Sequence, residues 1–286
     1  MDPSALLQSA RSAGIMIVVG LSVLSLVESI IPLRARGRAG RLHLRPNLAL
    51  ASLTFATGLI FNTALVVVLS IAQRAGFGPL HAFEWPAGGA IVVAVAVLDF
   101  STYLAHVSMH HVPAFWRFHR VHHADPAVDV TTTLRQHPGE SVIRFAFLAA
   151  FAIASGASPV AFGLYRLASL GIGLVEHANV RLPLGLDTAI ALAVTSPNMH
   201  KVHHSREPIE TDSNYGNILT LFDRLFGTFT PPTRGVEVNC GLAGFDDDET
   251  QRVGALLRLP FRPATRRVHC STISTTEATA FARRKT

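Results

Sequence analysis

Six histidines fall between His106 and His123, in the run HVSMHHVPAFWRFHRVHH, directly after an apolar stretch that begins near Gly88. On a helix His106 and His110 stand four positions apart and share a face. His119, His122 and His123 follow at i, i+3 and i+4, which puts three more imidazoles on one face. The triplet His200, His203 and His204, in MHKVHHS, repeats that spacing further along the chain. Neutral imidazole is the commonest protein ligand for iron, zinc and copper. One histidine is ordinarily a satisfied surface or core residue, but two HxxHH runs and an HxxxH together indicate a metal site.

His106, His110, His119, His122, His123, His137, His177, His200, His203 and His204 make ten candidate ligands. A tetrahedral structural zinc takes four. Shared between two six-coordinate metals, the ten give five each and leave a position open on both. An open position on a redox metal suits dioxygen activation, and zinc has no redox chemistry. Iron is the physical choice, since soluble dimetal oxygenases hold paired irons in helical bundles, there with mixed carboxylate and histidine ligands. His43, His81, His111 and His269 fit no such spacing and read as bystanders.

Other chemistries fail on named residues. A zincin needs HExxH, but Val107 follows His106 and leaves no general base. A nucleophile elbow and a Walker loop are absent. Cys240 and Cys270 are too few for a thiolate site or a disulfide framework. A metal transporter would carry ligands near mid-bilayer, whereas these histidines stand at or beyond helix ends.

The elements that must position them are apolar. The chain is 49% hydrophobic and 15% charged, with Lys201 and Lys285 its only lysines. Its arginines sit beside apolar runs and are not interleaved with aromatics, which argues for a membrane protein over a nucleic-acid binder. Gly14 to Leu33 is long enough to cross a bilayer, and no small-residue cleavage site follows, so it reads as a retained helix. Arg34, Arg36, Arg38, Arg41 and Arg45 form a basic loop after it, cytoplasmic by the positive-inside rule, with the N-terminus outside. Leu48 to Ile71 is a second span, and Gly88 to Ala105 a third that delivers His106 to the cytoplasmic end.

Pro113, Pro126 and Pro138 interrupt the polar stretch from Val107 to Glu140. Ser141 to Ser158 and Pro159 to Leu174 read as a helical hairpin joined through SGASP, either spanning or re-entrant. Both its ends face the cytoplasm, which brings all the clustered histidines to one side. Arg166 lies midway along the second arm, costly unless it faces protein or water. Asn217 to Phe229 carries Ile218, Leu221, Phe222 and Leu225 at helical spacing, as an amphipathic segment. Asp246 to Leu257 reads as one further helix, and 263–286 as a disordered basic tail. The expected fold class is therefore an all-α integral membrane protein of four to five transmembrane or re-entrant helices. A cytosolic, histidine-rich helical cap and a single domain over 1–262 complete it.

The order HxxxH, HxxHH, Arg135-Gln-His137-Pro-Gly-Glu140, EHAN and HxxHH resembles the fatty acid hydroxylase/sterol desaturase superfamily. DFSTYLAHVSMHHVPAFWRFHRVHH and DSNYGNILTLFDRLFGTF carry the likeness, which is strongest over 99–230. The resemblance implies a non-haem diiron enzyme of the membrane, expected in a bacterial inner membrane with its site on the cytoplasmic side. It implies two irons held by the ten histidines, dioxygen as co-substrate, and hydroxylation or desaturation of a sterol, fatty acyl chain or related lipid. The apolar spans would form a slot for the lipid tail. No haem, four-cysteine or GxGxxG motif is present, so electrons must come from a separate reductase, ferredoxin or cytochrome b5-type partner. Arg117, Arg120, Lys201 and Arg206 are candidates for its docking face. Asp99, Glu140, Glu176, Asn179 and Asp212 are candidates to orient imidazoles. The alternative is a membrane protein that binds metal without turnover, or an inactive paralogue.

Overall fold

The computed structural model describes residues 3–35 and 43–262. Among them the secondary structure is helical, with three isolated β-bridges and no strand. Six helices build the body: α1 Pro3–Ile30, α2 Leu44–Arg74, α3 Gly89–His111, α4 Pro113–His123, α5 Pro138–Ser155 and α6 Pro159–His177. Two short ones follow that matter to the site, α7 Leu184–Ile190 and α8 Pro197–His203. Four of these, α2, α3, α5 and α6, are long and apolar enough to cross a membrane. The described apolar part of α1, Ile17–Ile30, is shorter. Three of the arginines in the expected basic loop (Arg36, Arg38 and Arg41) and the tail from 263 onward lie outside the described residues.

The prolines that break the sequence pattern turn out to start helices. Pro113, Pro138, Pro159 and Pro197 each occupy the first turn of α4, α5, α6 and α8. A proline there gives up an N–H that has no helical partner, and its fixed φ suits the first turn. Every one of these helices carries an imidazole toward the site or a side chain that anchors one.

α3 is the central helix. It packs on α4, α5 and α6, and α2 packs on α5. Leu65, Leu69, Leu98, Leu148, Phe162 and Tyr165 form the core between them. The outward faces keep large apolar side chains exposed, among them Ile60, Val67, Val92, Val160 and Leu164. Water penalises that arrangement and lipid does not. At the far end of the bundle the α5–α6 turn closes through Gly156, which holds φ 75°. Gly78 in the α2–α3 connection lies against it, so closely that a Cβ on Gly78 would fall 2.5 Å from Gly156 Cα. The hairpin is thus docked at the end opposite the histidines, and its two arms run the length of the bundle.

Two expected helices are shorter than their patterns. Within Asn217–Phe229 only Leu221–Leu225 is helical. The Asp99 carboxylate accepts from the backbone N–H groups of Ile218 (3.1 Å) and Leu219 (3.0 Å), and Asp223 accepts from those of Tyr215 and Gly216 (both 2.8 Å). These buried carboxylates hold the backbone in a loop against its helical periodicity. Within Asp246–Leu257 the helix begins only at Val253, because Asp247 ties the backbone and side chain of Thr250 into a turn.

The glycine contact gives a direct test. Gly78→Ala should lower stability by about 2 kcal/mol or more, from steric overlap at a positive φ. Gly163→Ala, where an added methyl meets nothing within 4 Å, should melt at or above the parent temperature. Thermal unfolding of the purified proteins in detergent reads both.

Candidate metal centre

Nine of the ten histidines converge in two adjoining groups. His106, His110, His119, His123 and His203 form one; His122, His177, His200 and His204 form the other. Within each group the candidate ligand atoms all lie within 4.8 Å of one another, and every ring is buried. The last two turns of α3 supply His106 and His110, and α4 supplies His119, His122 and His123. α6 ends on His177, while α8 and the residue after it supply His200, His203 and His204. The HxxHH spacing divides each triplet between the groups. On α4, His119 and His123 face one group and His122 the other; on α8, His200 and His204 face the second and His203 the first. Stacking of His123 on His204, with centroids 4.6 Å apart, forms the wall between them.

The tautomers reveal what the groups need. His106 Nδ1 donates to Tyr215 O at 2.9 Å, His177 Nδ1 to Gly173 O at 2.8 Å, and His203 Nδ1 to Ser213 O at 2.8 Å. His122 Nδ1 lies 3.3 Å from Arg135 O, and His119 Nδ1 lies 2.9 Å from Glu140 Oε1. Carbonyl oxygens only accept, so the ring proton sits on Nδ1 and Nε2 keeps its lone pair. Glu140 Oε1 also accepts from Arg144 Nε at 2.9 Å, so it accepts from His119 as well. Those Nε2 atoms nevertheless face one another: His106 and His119 at 3.1 Å, His122 and His177 at 3.2 Å. Two lone pairs at that distance repel unless a cation lies between them. A metal–nitrogen bond of about 2.1 Å separates neighbouring ligand nitrogens by roughly 3.0–3.4 Å, so the donor set fits a metal ion. Burial first, and neighbouring imidazoles second, hold His119, His122, His123, His200 and His204 well below the usual histidine range. They are neutral, the form that ligates.

The orienting side chains agree in part with expectation. Glu140 holds His119, and Asp212 Oδ1 lies 3.1 Å from His110 Nδ1. Glu176 is 3.6 Å from His177 Nδ1 and 3.8 Å from His200 Nε2, adjacent but beyond hydrogen-bond length. Asp99 and Asn179 touch no imidazole: Asp99 organises the 217–219 loop, and Asn179 bonds the backbone of Arg34. The anchors that sequence could not indicate are backbone carbonyls at Arg135, Gly173, Ser213 and Tyr215, which any residue type supplies. Tyr215 also packs its ring 5.1–5.7 Å from His106, His110 and His203.

His137 stands apart from both groups. Its Nδ1 accepts from Gly139 N at 2.9 Å, capping α5, and its Nε2 lies 3.2 Å from Leu257 O. One ring nitrogen accepts and the other donates, which leaves no lone pair for a metal. His43 lies outside both groups, as its spacing implied, but it has partners of its own. It is buried, with Nδ1 2.9 Å from Asp125 Oδ1 and Nε2 3.4 Å from Asp129 Oδ2. Burial alone would lower its pKa, but the two carboxylates raise it to about 10. Of the expected docking residues, Arg120 is buried on Leu259 O and Arg262 O, and Lys201 on Ala178 O. Both serve the interior; Arg206 pairs with Asp246, and Arg117 remains exposed.

A cavity of about 160 Å³ opens onto the groups. His106, His122, His177 and His200 close one end; Phe61, Phe145, Leu148 and Leu170 line its length between α2, α5 and α6. Its walls are mixed, with Asn62, Arg144, Arg166, Ser169 and Glu176 among the apolar side chains, so it offers a ligand both an apolar strip and polar partners.

Comparison with known proteins follows the same residues. Positions 91–228 match the sequence model of the fatty acid hydroxylase family. The ornithine lipid hydroxylase OlsE of Rhizobium tropici is 30% identical over 181 residues, covering 63% of this chain and 54% of that protein. The alkylglycerol monooxygenase of Caenorhabditis elegans is 30% identical over 149 residues, 49% of this chain and 28% of that protein. The human alkylglycerol monooxygenase is 29% identical over 132 residues, 46% and 28% respectively. The chain thus spans about half the length, or less, of these curated relatives. No solved structure matches it.

Metal content tests the division of the histidines. His203→Ala and His122→Ala each remove a donor from a different group, and each should lower the metal bound per chain. His137→Ala should keep full iron content and lose only the cap, about 1 kcal/mol. Elemental analysis of protein purified under iron-replete conditions reads all three. A separate test concerns His43. Its raised pKa means that its proton contributes stability fully present below pH ~6.5 and lost as pH climbs toward about 10. His43→Asn should flatten that part of the stability profile.

Proposed function

We propose that the chain, which matches the fatty acid hydroxylase family over residues 91–228, is a member of the fatty acid hydroxylase/sterol desaturase superfamily and a membrane-bound non-haem diiron oxygenase that hydroxylates a lipid. The observation that carries the reading is the facing of Nδ1-protonated imidazoles through their Nε2 atoms, at the end of a cavity between membrane helices. When bound, a pair of irons would supply dioxygen reduction and hydrogen abstraction from an unactivated C–H bond. His106, His110, His119, His123 and His203 would hold one ion; His122, His177, His200 and His204 would hold the other.

The chain's own residues do the rest. Backbone carbonyls and Glu140 keep the ring protons on Nδ1, so the Nε2 lone pairs are aimed before any metal arrives. Phe61, Phe145, Leu148 and Leu170 hold the hydrocarbon chain and exclude water from the reacting end. The first group has five nitrogens and the second four, which leaves more room for co-substrate at the second. That group also borders the cavity through His122, His177 and His200.

Electrons enter from a separate protein, and exposed Arg117, directly after Trp116, marks the face toward which it docks. Trp116 packs 5.2 Å from His110 and 5.5 Å from His123. The histidine-bearing end faces the cytoplasm of a bacterial inner membrane in this reading, supported by the bacterial lipid hydroxylase relative. Cysteine labelling of His111→Cys and Gly76→Cys on intact cells tests the topology. The first should be protected and the second labelled.

Reconstitution under nitrogen with ferrous iron or with zinc, followed by dioxygen, an electron donor and membrane lipid, tests the activity. The iron form should add one oxygen atom to a lipid, and the zinc form should add none. His122→Ala and His203→Ala should lower turnover by at least a hundredfold, in line with loss of a metal ligand. Lipid oxidation by the zinc form would refute the assignment, and a product lacking two hydrogens would redirect it to desaturation.

A further inference from the structure

Arg166 has no place in the metal site. It sits in the middle of α6, seven positions after Pro159 and eleven before His177, roughly 16 Å along the axis from the latter. It is exposed on α6 and also lines the cavity that ends on the histidines, and among the described residues it makes no ion pair and no hydrogen bond. A guanidinium at the depth of a bilayer is expensive to leave uncompensated, and such residues face a cavity and mark a substrate path. Asn62, on the opposite wall from α2, lines the same cavity and is likewise without a hydrogen-bond partner among the described residues. Arg144, also lining it, binds Glu140 through Nε alone, so its terminal nitrogens keep their donors. Glu176 is the one carboxylate lining the cavity among the described residues, and it sits at the metal end beside His177 and His200.

We propose that Arg166, with Arg144 and Asn62, seats an oxyanion, a carboxylate or phosphate, carried by the lipid substrate. The donor set is selective for that chemistry. Guanidinium presents parallel N–H donors in a fork that matches two oxygens of a carboxylate or phosphate; an ester has no charge and only one strong acceptor, and an alcohol has no charge and a single oxygen. Low surrounding polarity strengthens the pair, and the incoming anion removes the cost of the lone cation. Arg144 stands one turn from Glu140, toward the histidines, and Arg166 roughly 16 Å along α6 from His177, so an anion held between them shares the cavity with the apolar side chains of Phe145, Leu148 and Leu170. This rests on the lipid-oxygenase reading, but it concerns binding and is measured without turnover.

The full chain in detergent, without dioxygen, is titrated with hexadecanoic acid, its methyl ester, monohexadecyl phosphate and inorganic phosphate, using native mass spectrometry. The parent should bind the acid or the alkyl phosphate at least tenfold more tightly than the ester, and inorganic phosphate should not compete at millimolar concentration. Arg166→Met should erase the preference, Arg166→Lys should retain part of it, and Leu164→Met, on the lipid-facing side, should leave it intact. If Arg166→Met does not fold, Arg166→Gln and Asn62→Leu carry the same comparison. Equal binding of acid and ester by the parent would overturn the proposal, as would a preference that survives in folded Arg166→Met or Arg166→Gln. Binding of inorganic phosphate as tight as that of the alkyl phosphate would overturn it in favour of a free-anion site. Hydroxylation of an uncharged lipid by a parent indifferent to the anion would remove this proposal and leave the oxygenase reading standing. Anion preference in a chain that oxidises no lipid would do the reverse.

Discussion

The constraint on which the structure depends is that nine imidazoles share one buried space with several of their ring nitrogens facing each other. Buried polar atoms are costly unless satisfied, and here the satisfaction is split between the two ring nitrogens. The Nδ1 atoms of His106, His119, His122, His177 and His203 are satisfied by the protein, through carbonyls at Tyr215, Arg135, Gly173 and Ser213 and through Glu140, whereas those of His123, His200 and His204 have no hydrogen-bond partner among the described residues. Nε2 atoms are left for a cation. Each anchoring carbonyl must be held as firmly as the ring it orients, and buried side chains brace the loops that carry them. Asp223 grips the backbone of Tyr215 and Gly216, and Asn214 bonds Met199 O and Thr230 O, at a φ of 55°.

Beneath α4 lies a second polar layer with no ligand role and a clear mechanical one. His43 bridges Asp125 and Asp129; Asn47 donates to Asp125 and accepts from Arg135. Arg135 also donates to Val121 O and Gln251, and Thr132 to Asp125. The carboxyls of Asp125 and Asp129 are held below their usual range: burial opposes this, but the His43 imidazolium outweighs it. The charges balance, two cationic and two anionic groups, which a buried network requires. Removing one partner of such a set typically costs about 3–5 kcal/mol because the others remain buried and unpaired. The layer ties the start of α2, the exit of α4 and the approach to α5 together. Through Arg135 it fixes the carbonyl on which His122 rests.

The clustering of the histidines was legible because helix geometry turns spacing into direction. HxxxH on α3 and HxxHH on α4 and α8 need only the 3.6-residue period to share a face, and a proline at the start of each short helix marks where the count begins. What the spacing hides is that i and i+4 serve one group while i+3 serves its neighbour, a division set by how α4 and α8 face each other. His137 carried no such geometric warrant; it looked like a ligand by motif and caps a helix instead. His43 looked idle because its partners lie some eighty residues away, and no local pattern encodes a contact of that range. Apolar periodicity likewise misjudged 217–229 and 246–257, where Asp99, Asp223 and Asp247 take backbone N–H groups that a longer helix would have needed.

The α5–α6 hairpin joins these layers to the membrane. Its histidine-side ends bear Glu140 and His177, which orient and supply imidazoles, while its middle bears Arg144 and Arg166, which line the cavity. Glu140 Oε1 accepts from both His119 and Arg144, so one oxygen connects an imidazole to a cavity wall. Any anion that draws Arg144 toward itself competes directly with Glu140 for the guanidinium. The competition would shift electron density on Glu140 toward His119 Nδ1–H and make that imidazole the stronger donor to a metal. An anion in the cavity would in this way act on the basicity of His119 through a single side chain, with no movement of the helices required. Of the polar residues inside this apolar bundle, those near the histidines set the tautomers, and Arg144 and Arg166 line the cavity.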